Sequence, residues 1–208
     1  MPALNAVGFT IKSGWAAAVL LGGPPSAPEV IDCRRVEISD PDIPDATQPY
    51  HAGFGTARDA GEELKRLVSS VKSYGRKSVR GVLSEYQKRG VLCGAGVVAG
   101  SLIDPKTIGN DHIRIHAMEG QLFRAVVIDA AEASGLKCDV VRERDLYGLA
   151  VTALKKPEGA IRQTLAEMGK GVTGGWRSEQ KAAALSAWLA LARPNTTRRH
   201  DGTKARRP

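Results

Sequence analysis

The feature that most constrains the fold is an apolar run without a single charge, from Gly90 to Gly100. A strand of this kind has both faces buried, which is typical of a central strand in a parallel sheet covered by helices. A loop over 101–111 follows, then a helical pattern over 112–134 and a second parallel strand over 136–141. The order strand, loop, helix, strand predicts a parallel crossover and therefore an α/β fold.

The N-terminal region predicts an antiparallel meander that extends the same sheet. Strands are expected over 3–12, 15–21 and 29–38, because only short glycine- and proline-containing turns separate them. The apolar residues of the third strand change parity along its length, which predicts a β-bulge near Arg34 and Arg35.

Helices account for most of the remaining chain. The 3.6-residue period predicts a long helix that Thr56 caps and that reaches about Arg89. Shorter helices are predicted over 145–154, 157–168 and 178–192. The expected architecture is a mixed sheet of five strands, three antiparallel and two parallel, flanked by helices.

Basic residues concentrate in the second half of the long predicted helix. Such a cluster is either a solvated face or a surface that contacts phosphates, and both interpretations stay open. The candidate nucleic-acid-binding residues in this helix are Arg76, Lys77 and Arg80.

The net charge of +8 is unevenly distributed along the 208 residues. Six basic residues and one acidic residue lie between Arg193 and Pro208, where no apolar periodicity is present. We therefore expect one domain over 1–192 and a disordered basic tail over 193–208. The tail is either a solubilising end or a loose attractor of DNA or RNA phosphates.

Composition excludes several other classes. Aromatic residues make up 5% of the chain, which leaves little material for a base-stacking surface. The cysteines, Cys33, Cys93 and Cys138, have no paired spacing and are expected to be reduced thiols. With no signal-peptide pattern and no apolar run long enough for a bilayer, we expect a cytoplasmic protein that does not contact membranes. No cofactor is predicted.

The order of these elements resembles the ribonuclease H-like superfamily, and its later part resembles the Holliday-junction resolvase branch. The resemblance is carried by a helix rich in small apolar residues over 116–127, by Gly135-Leu136 before the fifth strand, and by an alanine- and leucine-rich last helix over 179–191. It spans about residues 3–192.

This resemblance implies an active site that the chain does not carry over. Members that cut nucleic acid hold two divalent metals with carboxylates from the first strand, the end of the fourth strand and the last helix. Here no Asp or Glu precedes Glu29, and the position of the family's first aspartate falls near Thr10. The fourth strand has no acid before Asp104, and the last helix offers only Glu179, near Lys181. We therefore expect a pseudoenzyme without two-metal nuclease activity.

Other groups are expected around the carboxyl ends of the parallel strands, where ligands bind in sheets of this kind. The residues predicted to gather in this crevice are Lys12, Ser13, Ser101, Asp104, Glu143 and Arg144. Beside it, His112, His116 and Glu119 share one helix face. They are either a metal site using His112 and His116, or a capping histidine next to a local His116–Glu119 pair.

Three functions remain open from the sequence. The first is a non-catalytic binding or scaffold protein that associates with nucleic acid. The second is a hydrolase or nuclease in which His116, Glu119 or Glu143 acts as an acid or base. The third is a structural subunit for protein interaction, including a homo-oligomer.

Overall fold

A computed structural model describes residues 4–53, 56–58 and 60–193. One mixed sheet contains five strands in the order β3-β2-β1-β4-β5. β1 is antiparallel to β2 and β2 to β3, whereas β1 is parallel to β4 and β4 to β5. The predicted fold class is confirmed. The strands are β1 (Leu4–Lys12), β2 (Trp15–Gly22), β3 (Glu29–Glu37), β4 (Val91–Ala99) and β5 (Cys138–Arg142).

Five α-helices accompany the sheet in the described part of the chain. Two short helices follow β5, as the sequence predicts, and a last helix closes the described region. The helices are α1 (Glu62–Gln87), α2 (Asp111–Ala133), α3 (Leu146–Leu154), α4 (Glu158–Met168) and α5 (Ser178–Leu191).

The prediction that Thr56 caps α1 is wrong. Before α1 the chain folds back on itself, since the Ala52 N–H donates to the Thr56 carbonyl at 2.8 Å and the Arg58 N–H donates to the Tyr50 carbonyl at 2.7 Å. Gly61 precedes the helix with φ at 109°, a conformation that glycine adopts without strain. Because these backbone hydrogen bonds hold the segment in a non-helical turn, α1 begins only at Glu62.

The predicted bulge lies at a different position. Leu20 of β2 pairs with Asp32 and Leu21 pairs with Val30, so Ile31 is the extra residue in β3. Arg34 and Arg35 therefore pair in regular register. A shift by one residue there changes which β3 side chains face each side of the sheet.

The start of β5 is also later than predicted. Gly135, with φ at 79°, ends α2, and the Leu136 N–H donates back to the Ala131 carbonyl at 3.1 Å. This is the hydrogen-bonding pattern of a left-handed helix terminus. Leu136 is buried against the core as part of this terminus, and the strand begins at Cys138.

Helices cover the two faces of the sheet differently. We call the face covered by α1 and α2 the α1/α2 side; its core includes Phe9, Leu83 and Phe123. We call the opposite face the α5 side; α3 and α4 also pack there, and Trp188 and Leu185 are in its core.

Close backbone contact defines the α5 side. A Cβ at Gly8 would overlap the Ala183 carbonyl, and a Cβ at Gly96 would lie 2.6 Å from the Ser186 carbonyl oxygen. These glycines are on the adjacent strands β1 and β4. Their missing side chains let α5 lie directly on the sheet, which brings its first turn to the end of β1.

The three cysteines are half-buried and form no disulfide. Burial raises the pKa of the Cys138 thiol to about 11, so the thiol is neutral near pH 7. Among the described helices, none has the length and apolar character needed to cross a bilayer.

Candidate functional site

The carboxyl ends of the parallel strands open into a cavity of about 400 Å³. Apolar side chains such as Ile11 and Phe123 form much of its wall. The polar residues that line it are Lys12, Ser13, Ser101, His116, Arg124 and Glu143. The structure thus brings four of the predicted crevice residues, Lys12, Ser13, Ser101 and Glu143, to one place.

Two other residues predicted for this crevice do not line it. Asp104 accepts a hydrogen bond from the Lys106 N–H at 3.0 Å and caps a short 3-10 turn. Arg144 forms an ion pair with Asp145 at 3.6 Å. Local capping and pairing with a sequence neighbour hold both side chains away from the cavity.

At the end of β1, a lysine meets the only carboxylate of α5. Lys12 Nζ lies 3.6 Å from Glu179 Oε1. The backbone N–H at the start of α5 lowers the pKa of Glu179, and the Ser178 hydroxyl and Lys12 act in the same direction. Glu179 is therefore ionised and already has a cationic partner.

Thr10 lies on the α5 side of β1 and is 2% exposed. Its hydroxyl oxygen has no hydrogen-bond partner among the described residues. The neighbouring residue on β4 is Val98, followed by Ala99 at the strand end. Around Thr10, Val98 and Ala99 these two strands therefore present one hydroxyl and apolar groups, and the charged residue at the end of β1 is Lys12.

A second cluster lies on the α1/α2 side and contains three histidines. His112 and His116 come from the first turns of α2, and His51 comes from the segment between β3 and α1. The ring centroid of His116 lies 5.0 Å from that of His51 and 4.6 Å from that of His112. One ring nitrogen from each histidine lies within 4.8 Å of the other two.

Glu119 lies beneath this cluster and is 1% exposed. His51 Nδ1 donates to Glu119 Oε1 at 2.8 Å. Glu119 Oε2 is 3.7 Å from His116 Nδ1 and has no hydrogen-bond partner among the described residues. Burial raises the pKa of Glu119, while the bond from His51 and the charge of the histidines oppose that rise.

The structure changes the predicted roles of these groups. His112 does not cap α2, because the Asn110 side chain accepts from the Ile113 N–H at 3.0 Å. The local pair of His116 with Glu119 is present only as a 3.7 Å contact, and the shorter bond comes from His51. Of the three acid–base candidates, His116 and Glu143 line the strand-end cavity, whereas Glu119 does not.

His51 is the residue that sequence reasoning missed. It has no periodic relation to the helix that carries the other two histidines, and a proline-containing loop surrounds it. The backbone bridge between His51 and Ala57 fixes its position. The sequence contains four histidines, and three of them lie in this cluster; their small number was the one sequence feature that could have drawn attention to His51.

The basic residues of α1 form an exposed surface on the same side. Lys72, Arg76, Lys77 and Arg80 line a shallow cleft of about 750 Å³. Arg76 forms an ion pair with Asp129 of α2 at 2.6 Å. α1 and α2 lie side by side, which brings Arg76 next to Asp129.

The comparisons with known proteins identify the fold. No family model matches the chain, and no curated protein matches it. A Thermus thermophilus RuvC structure has a TM-score of 0.52 and 10% identity, covering 89% of this chain and 92% of that chain. T. thermophilus RuvC in complex with a Holliday junction substrate has a TM-score of 0.53 and 11% identity, covering 89% and 91%. The chain has the ribonuclease H-like fold.

Proposed function

We propose that this protein is a nucleic-acid-associated binding module that does not cut nucleic acid at the strand ends. The observation that carries the proposal is the composition of those ends. Two-metal hydrolysis needs several carboxylates that converge on two cations. Thr10 and Ala99 supply no carboxylate, and Glu179 is bound to Lys12. This set does not fit a pair of magnesium ions.

The charge of α1 supports the binding half of the proposal. Lys72, Lys77 and Arg80 are exposed and form no ion pair with any described residue. Three unneutralised cations along one helix suit a phosphate backbone, since each contact releases a condensed counterion. The structural neighbour bound to a Holliday junction substrate has the same fold, which makes a branched DNA the first ligand to test.

The binding experiment uses fluorescence anisotropy with a four-way junction, a linear duplex and a single strand. We expect binding that weakens steeply between low and physiological salt. Replacing Lys72, Lys77 and Arg80 with alanine should weaken binding at least about tenfold and reduce the salt slope by about 3. Equal binding by this triple variant would contradict the assignment of the surface.

A matched control removes the same charge from the opposite side of the molecule. Lys155, Lys156 and Lys170 lie around α3 and α4, and their replacement with alanine should leave affinity within about twofold. No binding of any nucleic acid at low salt would reject the binding half. Cleavage that requires Mg²⁺ would reject the non-catalytic half, so the two halves fail separately.

A further inference from the structure

We infer that His51, His112 and His116 form a binding site for Zn²⁺ or a similar divalent transition metal, with Glu119 as the residue that positions the ligands. The proposed ligands belong neither to the basic surface of α1 nor to the strand-end positions Thr10, Ala99 and Glu179, although His116 also lines the strand-end cavity. It rests on three ring nitrogens within 4.8 Å of one another and on a buried carboxylate behind them.

The ligand spacing is close to that of a metal centre. Tetrahedral zinc with Zn–N distances of about 2.0–2.1 Å requires ligand nitrogens about 3.4 Å apart. One ring nitrogen from each of the three histidines lies within 4.8 Å of the other two. Two of them, His112 and His116, are exposed, so small rotations of their side chains are enough to contract the cluster.

Two separate parts of the chain supply the ligands. His112 and His116 are four residues apart on α2 and lie on one helix face. His51 approaches from the segment before α1, which the His51–Ala57 bridge and the Arg58–Pro49 hydrogen bond of 3.0 Å hold in place. A metal here would link this segment to α2.

Glu119 has the position of a supporting residue in a histidine metal centre. It accepts a hydrogen bond from the Nδ1–H of His51 at 2.8 Å, which fixes the ring and leaves Nε2 for a metal. Its second oxygen lies toward His116 and has no hydrogen-bond partner among the described residues. A buried carboxylate in that state is costly unless positive charge is nearby, and a bound cation would supply that charge.

The donor set selects the class of metal. Imidazole nitrogen favours zinc, copper or nickel over magnesium, which prefers oxygen. Three histidines also leave the fourth tetrahedral position free for water or an anionic oxygen. The cluster opens into a cleft of about 730 Å³, also lined by Asp45, Gln48 and Arg58, so that position is reachable from solvent.

The test is a metal titration of the full chain after removal of metal with a chelator. Zn²⁺ competition against a chromophoric indicator should give one site per chain, and Co²⁺ should give the intense visible bands of a tetrahedral nitrogen centre. His116→Ala and His51→Ala should each weaken Zn²⁺ binding at least 100-fold. Glu119→Gln should weaken it 10- to 100-fold with the stoichiometry retained.

The fourth histidine of the sequence, His200, provides a matched control. His200→Ala should leave the affinity and the Co²⁺ spectrum unchanged. Because His112 is exposed, His112→Ala should fold normally and should lose the rise in melting temperature that Zn²⁺ gives the unaltered chain. No stoichiometric binding, or affinity that survives in both His112→Ala and His116→Ala, would overturn the inference.

Discussion

The two sides of the sheet are built in different ways. On the α5 side, helix and strand backbones touch through Gly8 and Gly96, and small residues fill the contact. On the α1/α2 side, larger side chains such as Phe9, Tyr86 and Phe123 separate the helices from the sheet. Both candidate surfaces for ligands, the histidine cluster and the basic cleft, are on the α1/α2 side.

This difference shows where the fold leaves room for chemistry. Where a helix lies directly on glycine residues of a strand, the interface between helix and sheet has no space for long polar side chains. Close packing there also leaves no room for a ligand. The irregular segment between β3 and α1 meets α2 on the other side and can present His51 over a buried Glu119. A shared scaffold therefore does not fix the site, since function depends on the groups placed on it.

The largest expected effect is at the backbone contact of the α5 side. Gly8→Ala would force the new methyl into the Ala183 carbonyl, so α5 must move from the sheet, and we expect a loss of about 4 kcal/mol in unfolding free energy. Gly81→Ala on the exposed face of α1 meets no atom within 4 Å and should stabilise by about 0.5–1 kcal/mol. Urea unfolding measures the free energy of unfolding of both variants. Equal changes at the two positions would contradict the claim that backbone contact at Gly8 makes the α5 side intolerant of added atoms.

The next effect concerns Thr10, near which the sequence resemblance implies an aspartate. Thr10→Asp buries an unpaired charge and should cost about 3 kcal/mol. Thr10→Val removes a hydroxyl that has no hydrogen-bond partner among the described residues, so it should be neutral or stabilise by about 1 kcal/mol. If Asp were tolerated and gave a melting temperature that rises with Mg²⁺, the strand ends would retain metal affinity.

On the α1/α2 side, a polar network should contribute a pH-dependent part of the stability. Asp32 accepts hydrogen bonds from Arg34 at 2.7 Å and from the Tyr86 hydroxyl at 2.6 Å. Although burial alone raises the pKa of Asp32, these bonds and the charges of Arg34 and Arg89 hold it below its usual value of 3.8. Asp32→Asn should therefore cost about 2 kcal/mol near neutral pH.

The sign of the pH dependence follows from the lowered pKa. The native state keeps Asp32 ionised at lower pH than the unfolded chain does, so the stabilisation is complete above pH 3.8 and is lost as the pH falls through the native value. The difference between the unaltered chain and Asp32→Asn should shrink in acid. Glu37→Gln, in an exposed ion pair with Arg35 on the same strand, should change stability by less than about 0.5 kcal/mol at any pH.

A variant with a smaller expected effect than those at Gly8, Thr10 and Asp32 tests whether hydrogen bonds matter on the α5 side. Ser186 is buried and donates to the Ala183 carbonyl at 2.9 Å. Ser186→Ala should cost less than about 1 kcal/mol, because alanine suits a helix and fits the same space. It should not rescue Gly8→Ala, since the Ala183 carbonyl remains in the way; rescue in the double variant would show that the hydroxyl was the obstacle.

The sequence alone determined what is local. The uncharged run from Gly90 to Gly100 predicted an interior strand, β4, and the 3.6-residue period predicted the long helix α1. Both signals are local, because a segment buried on one or both faces shows its apolar residues in a regular order along the chain. The sequence also showed directly that no Asp or Glu precedes Glu29, because that depends only on residue identity and not on tertiary contacts.

The tertiary structure decided which distant groups meet. His51 joins His112 and His116 because of the path of the segment before α1, and Arg76 pairs with Asp129 because α1 packs on α2. The tertiary packing also buries Glu119. The sequence pattern showed only that Glu119 lies on the same helix face as His112 and His116, and did not show whether that face is buried. Such contacts depend on backbone geometry over many residues, and no spacing along the chain encodes them.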